Sequence, residues 1–160
     1  MDVRFINPFL RATANVMKTM ALVDLLSEDP FLKRDHIAMG EVSGIIGLTG
    51  DAKGSLSVTL NFNLTKMIME NMLGEVIENV TEEAQDAVGE LTNMISGDAR
   101  RLLQQEGINL TAAIPSIVAG KNHTITHFVA GPTIVIPFKC EGGGKASIEI
   151  SIQSQKQNIL

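Results

Sequence analysis

TEEAQDAVGELTNMISGDARRLLQQEG, running from Thr81 to Gly107, is the stretch on which the fold turns. Thr81 can cap a helix, Glu82 and Glu83 place acid in its first turn, Arg100 and Arg101 place base towards its end, and Gly107 closes it. Those charges complement a helix dipole. At about 100° per residue, Ala84, Val88, Leu91, Ile95, Ala99 and Leu102 fall within about 80° of one another, the stripe of a helix with one buried face. Such a stripe needs an apolar surface to lie on, and both flanks offer strands. Upstream, Glu41 to Phe62 is rich in Val, Ile, Thr and Ser and reads as two strands joined at Gly50-Asp51-Ala52-Lys53. A short helix follows over Leu64 to Leu73, with Gly74 as its C-terminal cap. Downstream, strands are expected at Leu110–Val118, Thr124–Ala130, Thr133–Lys139 and Lys145–Ile152, the last two joined by a Glu141-Gly142-Gly143-Gly144 hairpin.

Near the chain start, Asn7 can cap and Pro8 suits the first position of a helix that reaches to about Leu26, with Phe9, Thr13, Val16, Met20 and Val23 as its apolar repeat. The expected fold class is therefore α+β: a two-layer domain with a mostly antiparallel sheet of about six strands and the long helices packed on it. Lys53–Leu60 echoes Gly144–Ile150, and each follows a long helix, which points to an internal duplication of helix-plus-hairpin halves. Residues 1–153 are expected to form one domain and 154–160 a polar C-terminal tail.

Composition narrows the function classes. The 160 residues are 44% hydrophobic and 19% charged, enough apolar matter for a real core and too much for a disordered chain. Eighteen acids against 13 bases give a net charge of −5, which opposes a phosphate backbone or an anionic lipid surface, so neither nucleic acid nor a membrane is an expected partner. Cys140 is the only cysteine, so no intrachain disulfide can form, and a reducing, cytoplasmic location fits. Val16 to Leu26, the most apolar N-terminal stretch, is interrupted by Lys18 and Asp24 and reads as neither a membrane span nor an export signal.

The face of the long helix opposite its apolar stripe holds Asp86, Glu90, Asn93, Gly97 and Gln104 within about 60°. An ordinary solvated face would not choose this set. Asp86 and Glu90 are like charges four apart, costing a few tenths of a kcal/mol, and Gly89 and Gly97 each cost about 1 kcal/mol against alanine. Glycine there removes bulk beside Glu90 and Asn93, so Asp86, Gly89 and Gly97 are expected to form a docking surface for another macromolecule.

The segment Asp86-Ala87-Val88-Gly89-Glu90-Leu91-Thr92-Asn93-Met94-Ile95-Ser96-Gly97 resembles the Asp/Ser-x3-Glu-x2-Asn signature of the CheC/CheX/FliY chemotaxis phosphatases at all three signature positions. Ile6 to Met20 and Ile46 to Gly74 are also similar to CheX. The first long helix has Arg11 and Ala14 where a second Glu-x2-Asn pair would stand, so the resemblance is to the single-signature CheX type and not to CheC. It implies hydrolysis of an aspartyl phosphate on a CheY-like response regulator, with Glu90 and Asn93 as the catalytic pair. Asn93 would orient the attacking water, because a carboxamide accepts and donates at once but cannot act as a base near neutral pH. Glu90 would pair with a regulator cation. Mg²⁺ would sit on the phosphorylated regulator, with no cofactor or metal held by this chain, and the chain would form a homodimer. A noncatalytic scaffold or flagellar-switch-like module would use the same helix face.

Other candidates are incomplete. His123 and His127 could share a strand face with Cys140 as a third metal ligand, but a fourth ligand is missing. Gly142-Gly143-Gly144-Lys145-Ala146 lacks the first glycine and the hydroxyl of a phosphate-binding loop and reads as a hairpin.

Overall fold

The computed structural model describes residues 3–155. A short 3-10 turn, Val3–Phe5, leads into α1 (Ile6–Met20). Then follow β1 (Leu26–Ser27), β2 (Phe31–Leu32), β3 (Val42–Gly50), β4 (Ala52–Leu60), α2 (Phe62–Leu73) and α3 (Glu82–Gln105). The chain continues through β5 (Leu110–Ala112), β6 (Ser116–Ala119), β7 (Ile134–Lys139) and β8 (Lys145–Ser154). Among the described residues the strands form one eight-stranded sheet in the order β1-β7-β8-β4-β3-β5, with β2 also on β7 and β6 also on β3. Every pairing between these strands is antiparallel. The α+β architecture with helices on an antiparallel sheet is thus the one the sequence predicts.

The two long hairpins, β3–β4 and β7–β8, meet along β4 and β8, which pair from Ala52↔Ser154 to Leu60↔Ala146. α1 precedes the first hairpin and α3 the second. That is the arrangement of two helix-plus-hairpin halves to which the echo between Lys53–Leu60 and Gly144–Ile150 points.

Alternation sorts the strand side chains by face. Val42, Ile46 and Leu48 of β3, Leu56, Val58 and Leu60 of β4, and Ile148, Ile150 and Ile152 of β8 are buried in one core. The same core takes in Phe9, Ala12, Val16 and Met17 of α1, Leu64 and Ile68 of α2, and Val88, Leu91, Ile95, Ala99 and Leu103 of α3. The opposite face carries Ser43, Ser55, Ser57, Thr59, Ser147, Glu149 and Ser151, and these too are buried.

Helix boundaries follow their caps. Thr81 Oγ1 accepts from the Ala84 N–H at 3.1 Å at the start of α3, and Asn61 Oδ1 accepts from the Leu64 N–H at 2.9 Å at the start of α2. α2 ends at Gly74 in the left-handed region (φ 66°), its N–H returning to Glu70 O. At α1 the expectation fails at both ends. Asn7 lies inside the helix and does not cap it, since Phe5 occupies that position without a side-chain bond. The helix stops at Met20 and not near Leu26, because Leu22 turns left-handed (φ 57°) and the N–H groups of Ala21 and Val23 both return to Met17 O at 3.1 Å. Val23 and Leu25 then enter the core from an extended segment.

The count of about six strands also needs correction. Leu110–Val118 is two strands, since the chain breaks at Ala113-Ile114-Pro115 and Pro115 has no N–H to give a ladder. Thr124–Ala130 is not a strand; it makes one isolated bridge, Ile37↔Thr124, outside the sheet strands, and turns His127 and Phe128 onto the polar face. β1 and β2 are two residues each, too short to leave a periodic trace in sequence. Of the expected tail, Ser154 belongs to β8, and residues 156–160 lie outside the described residues.

Candidate active site

α3 is seated on the sheet by small residues. Thr92 is buried, its hydroxyl donates to Val88 O at 2.7 Å, and a Cβ on Gly44 of β3 would overlap that hydroxyl. With Thr92 held inward, the next residue, Asn93, points away from the sheet and is exposed. Asp86 and Glu90 are exposed on the same side, and Gly97 is half-buried. The side chains of Asp86, Glu90 and Asn93 make no hydrogen bond or ion pair with any described residue, so their polar atoms face solvent unspent.

Gly97 has open space around it: a Cβ there would meet only Arg100 Nη2, at 3.8 Å. Gly89 differs from expectation. It is buried beneath β6, and a Cβ on it would come within 3.1 Å of Ile117 Cδ1. Its missing side chain is therefore explained by the fit of α3 against β6 and not by a docking partner. The buried arc of α3 is wider than the apolar stripe predicts, because Gly89, Thr92 and Ser96 are buried beside it.

On its other flank α3 packs along α1, where Asn15 Nδ2 donates to Asp98 Oδ2 at 3.4 Å and Asp98 Oδ1 receives Arg101 at 2.8 Å. On α1, Arg11 is exposed and Ala14 half-buried, so that helix carries no matching acid and amide.

The histidines and the cysteine are not brought together. His123 bonds Ser43 Oγ through Nε2 at 2.6 Å and Gly120 O through Nδ1 at 2.7 Å. His127 Nδ1 lies 2.6 Å from Ser55 Oγ, and its Nε2 donates to Glu149 Oε1 at 3.1 Å. Cys140 packs against Gly144 in the β7–β8 turn, and burial pushes its thiol pKa up, against a smaller opposing pull from the Gly144 backbone. Among the described residues no group of three or more His, Cys, Asp and Glu is placed to hold a metal ion. The glycine run is a turn, with Gly142 and Gly143 at φ 90° and 81°.

Ser55, His127 and Glu149 stand in the order of a nucleophile, its base and an orienting acid. The arrangement is structural nonetheless: Ser55 is 0% exposed, and Glu149 is ion-paired with Lys33 at 2.8 Å. Burial works against the Glu149 charge most strongly, yet hydrogen bonds from His127 and Lys33, with their charges, prevail and hold its pKa below the ordinary 4.5. This buried cluster was invisible in sequence, where Glu149 reads as one more outward polar residue in an alternating strand and Lys33 lies 116 residues away.

The fold and the site together define a CheC-like α+β protein in which one helix presents one outward Asp-x3-Glu-x2-Asn row. The chain belongs to the CheX family: residues 42–139 match the family described as chemotaxis phosphatase CheX. It superposes on a CheC-like superfamily protein of Shewanella sp. PV-4 with 48% identity and a TM-score of 0.88, over 96% of this chain and 100% of that one. A CheX in a CheX–CheY–BeF3–Mg²⁺ complex from Borrelia burgdorferi is 25% identical with a TM-score of 0.78, over 94% and 98% of the two chains. The CheY-P phosphatase CheX of Thermotoga maritima is 23% identical over 155 residues, 96% of this chain and 99% of that one. No helix among the described residues is long and apolar enough to cross a membrane.

Proposed function

We propose that this chain hydrolyses the aspartyl phosphate of a CheY-like response regulator, with Asn93 orienting the attacking water and Glu90 pairing with a regulator cation. The observation that carries the reading is the exposure of Glu90 and Asn93, one turn apart on the outward face of α3 with no partner for either side chain among the described residues. A carboxamide fixed on a rigid helix can accept from and donate to one water, which turns in-line attack into a positioned event. Asp86 and the open flank at Gly97 would border the docked regulator. Mg²⁺ would be held by the regulator, as fits a Borrelia relative crystallised with CheY, Mg²⁺ and BeF3, a mimic of a phosphoryl group.

The active form is a cytoplasmic homodimer in this reading. Its support is the apolar surface at the sheet edge, where Leu26, Phe31 and Leu32 are exposed on the two-residue strands β1 and β2.

The test is phosphate release from a phosphorylated CheY-type regulator. Catalytic amounts of this chain should accelerate release well beyond the regulator's own decay. Binding of the regulator without acceleration would replace the phosphatase with a scaffold that uses the same face.

A further inference from the structure

Beside Gly97 lies a cavity of 240 Å³ lined by Gly97, Arg100, Arg101, Gln104, Asn109 and Leu110. Its polar side chains are two guanidiniums and two carboxamides. Among the described residues no carboxylate lines it, although Asp98 pairs with Arg101 at 2.8 Å and Asp51 accepts from the Asn109 N–H at 2.9 Å behind its wall.

The two guanidiniums differ. Arg101 is neutralised by Asp98 at 2.8 Å. Arg100 has no carboxylate partner among the described residues, and its Nε donates to the buried Ser96 Oγ at 3.2 Å. Helical side chains lean towards the N-terminus, so this bond draws the guanidinium back to the level of Ser96, about 4.5 Å along the axis from Asn93. Gly97 adds no bulk beside the guanidinium, and Arg100 Nη2 is the one neighbour a Cβ there would meet, at a contact distance of 3.8 Å.

A guanidinium fixed at Nε, with its Nη groups uncommitted to any acid and amide groups beside it, suits a planar anion approached in two-point fashion. The helix face is thereby polarised: Asp86 and Glu90 lie towards its N-terminal end, Asn93 in the middle and Arg100 towards its C-terminal end.

Resting on the reading of this face as the regulator-docking surface, we infer that Arg100 and the adjoining cavity form a second subsite that takes a carboxylate side chain of the docked regulator. Glu90 and Arg100 then read opposite charges on either side of Asn93, which fixes the direction in which the partner lies along α3 and places its phosphoryl group over the carboxamide. Arg100 is a positioning and recognition residue and does not touch the reacting phosphorus.

The experiment titrates a CheY-type regulator activated with beryllofluoride and Mg²⁺ against the wild-type chain, Arg100→Ala and Arg100→Lys, and measures phosphate release at saturating phosphorylated regulator. Arg100→Ala should raise Kd about tenfold, the loss of one charge-assisted contact, a larger effect than any on kcat. Arg100→Lys should recover part of the binding, and the difference between wild type and Arg100→Ala should shrink as salt is raised. Unchanged melting temperatures would exclude misfolding as the cause. Wild-type affinity in Arg100→Ala would overturn the subsite, as would a fall in kcat at unchanged Kd, which would put the guanidinium on the phosphoryl group. Failure of the wild-type chain to bind the regulator would overturn the docking reading as well, whereas a wild-type complex indifferent to Arg100 would remove the subsite alone.

Discussion

At the scale of single residues, the proposed chemistry divides between a neutral amide and a charged acid, and the two should fail differently. Glu90 acts by attraction across an exposed interface, so Glu90→Ala should weaken regulator binding severalfold at low ionic strength, with the difference from wild type narrowing as salt increases. Calorimetric titration at two salt concentrations checks this, and a salt-independent loss would remove the ion pair. The candidate residues were legible because signature and periodicity coincide: Asp86, Glu90 and Asn93 fall on the face that an apolar stripe from Ala84 to Ala99 leaves outward. The role of Gly89 is not legible in the sequence, because a glycine looks the same there whether it makes room for a partner protein or for Ile117 of its own chain. In the sequence Arg100 is only a dipole charge, since its bond to Ser96 and the lack of an acid opposite it among the described residues depend on rotamers and neighbours that spacing does not encode.

Elements fix the aim of those residues. α3 meets β3 where Gly44 faces Thr92, and Thr92 is anchored to Val88 O, so the helix cannot accept bulk there without lifting. Gly44→Ala should therefore destabilise the chain by about 1–3 kcal/mol, measured by urea unfolding, and should reduce phosphate release as Asn93 shifts. Gly97→Leu adds its bulk on the outer side and should leave urea stability within about 1 kcal/mol of wild type while impairing regulator binding. Reversal of those two patterns would mean that the inward and outward sides of α3 have been exchanged. Long elements with caps were readable in advance, as at Thr81, Gly74 and the Gly142-Gly143 turn. The failures lie where tertiary pairing overrides local pattern. Thr124–Ala130 alternates like a strand, but its His127 goes to Ser55 and Glu149 of the polar face, and the two-residue strands β1 and β2 exist only because β7 is beside them.

For the whole molecule, the polar face of the sheet holds a carboxylate whose ionisation is tied to folding. Glu149 is 1% exposed and has its pKa held below 4.5 by His127 and Lys33 against the cost of burial. A depressed folded pKa contributes stability that is fully present above the unfolded value and is lost as pH falls through the folded one. Stability should therefore decline as pH drops below about 4.5, and Glu149→Gln should flatten that acid limb. The same variant should cost about 3 kcal/mol at neutral pH by leaving Lys33 buried without its acid, both effects being visible in thermal melts across pH. Light scattering at micromolar concentration should return the mass of a dimer, and a single-chain mass would withdraw the assembly proposed for the β1–β2 edge. The measurement that bears most directly on the proposed phosphatase is the turnover of Asn93→Ala with phosphorylated regulator, set beside its affinity for the beryllofluoride-activated form. Turnover should fall by about 100-fold or more, near 3 kcal/mol in the transition state, while affinity stays at the wild-type level. Wild-type phosphate release from Asn93→Ala would contradict the assignment of this helix face as the active site.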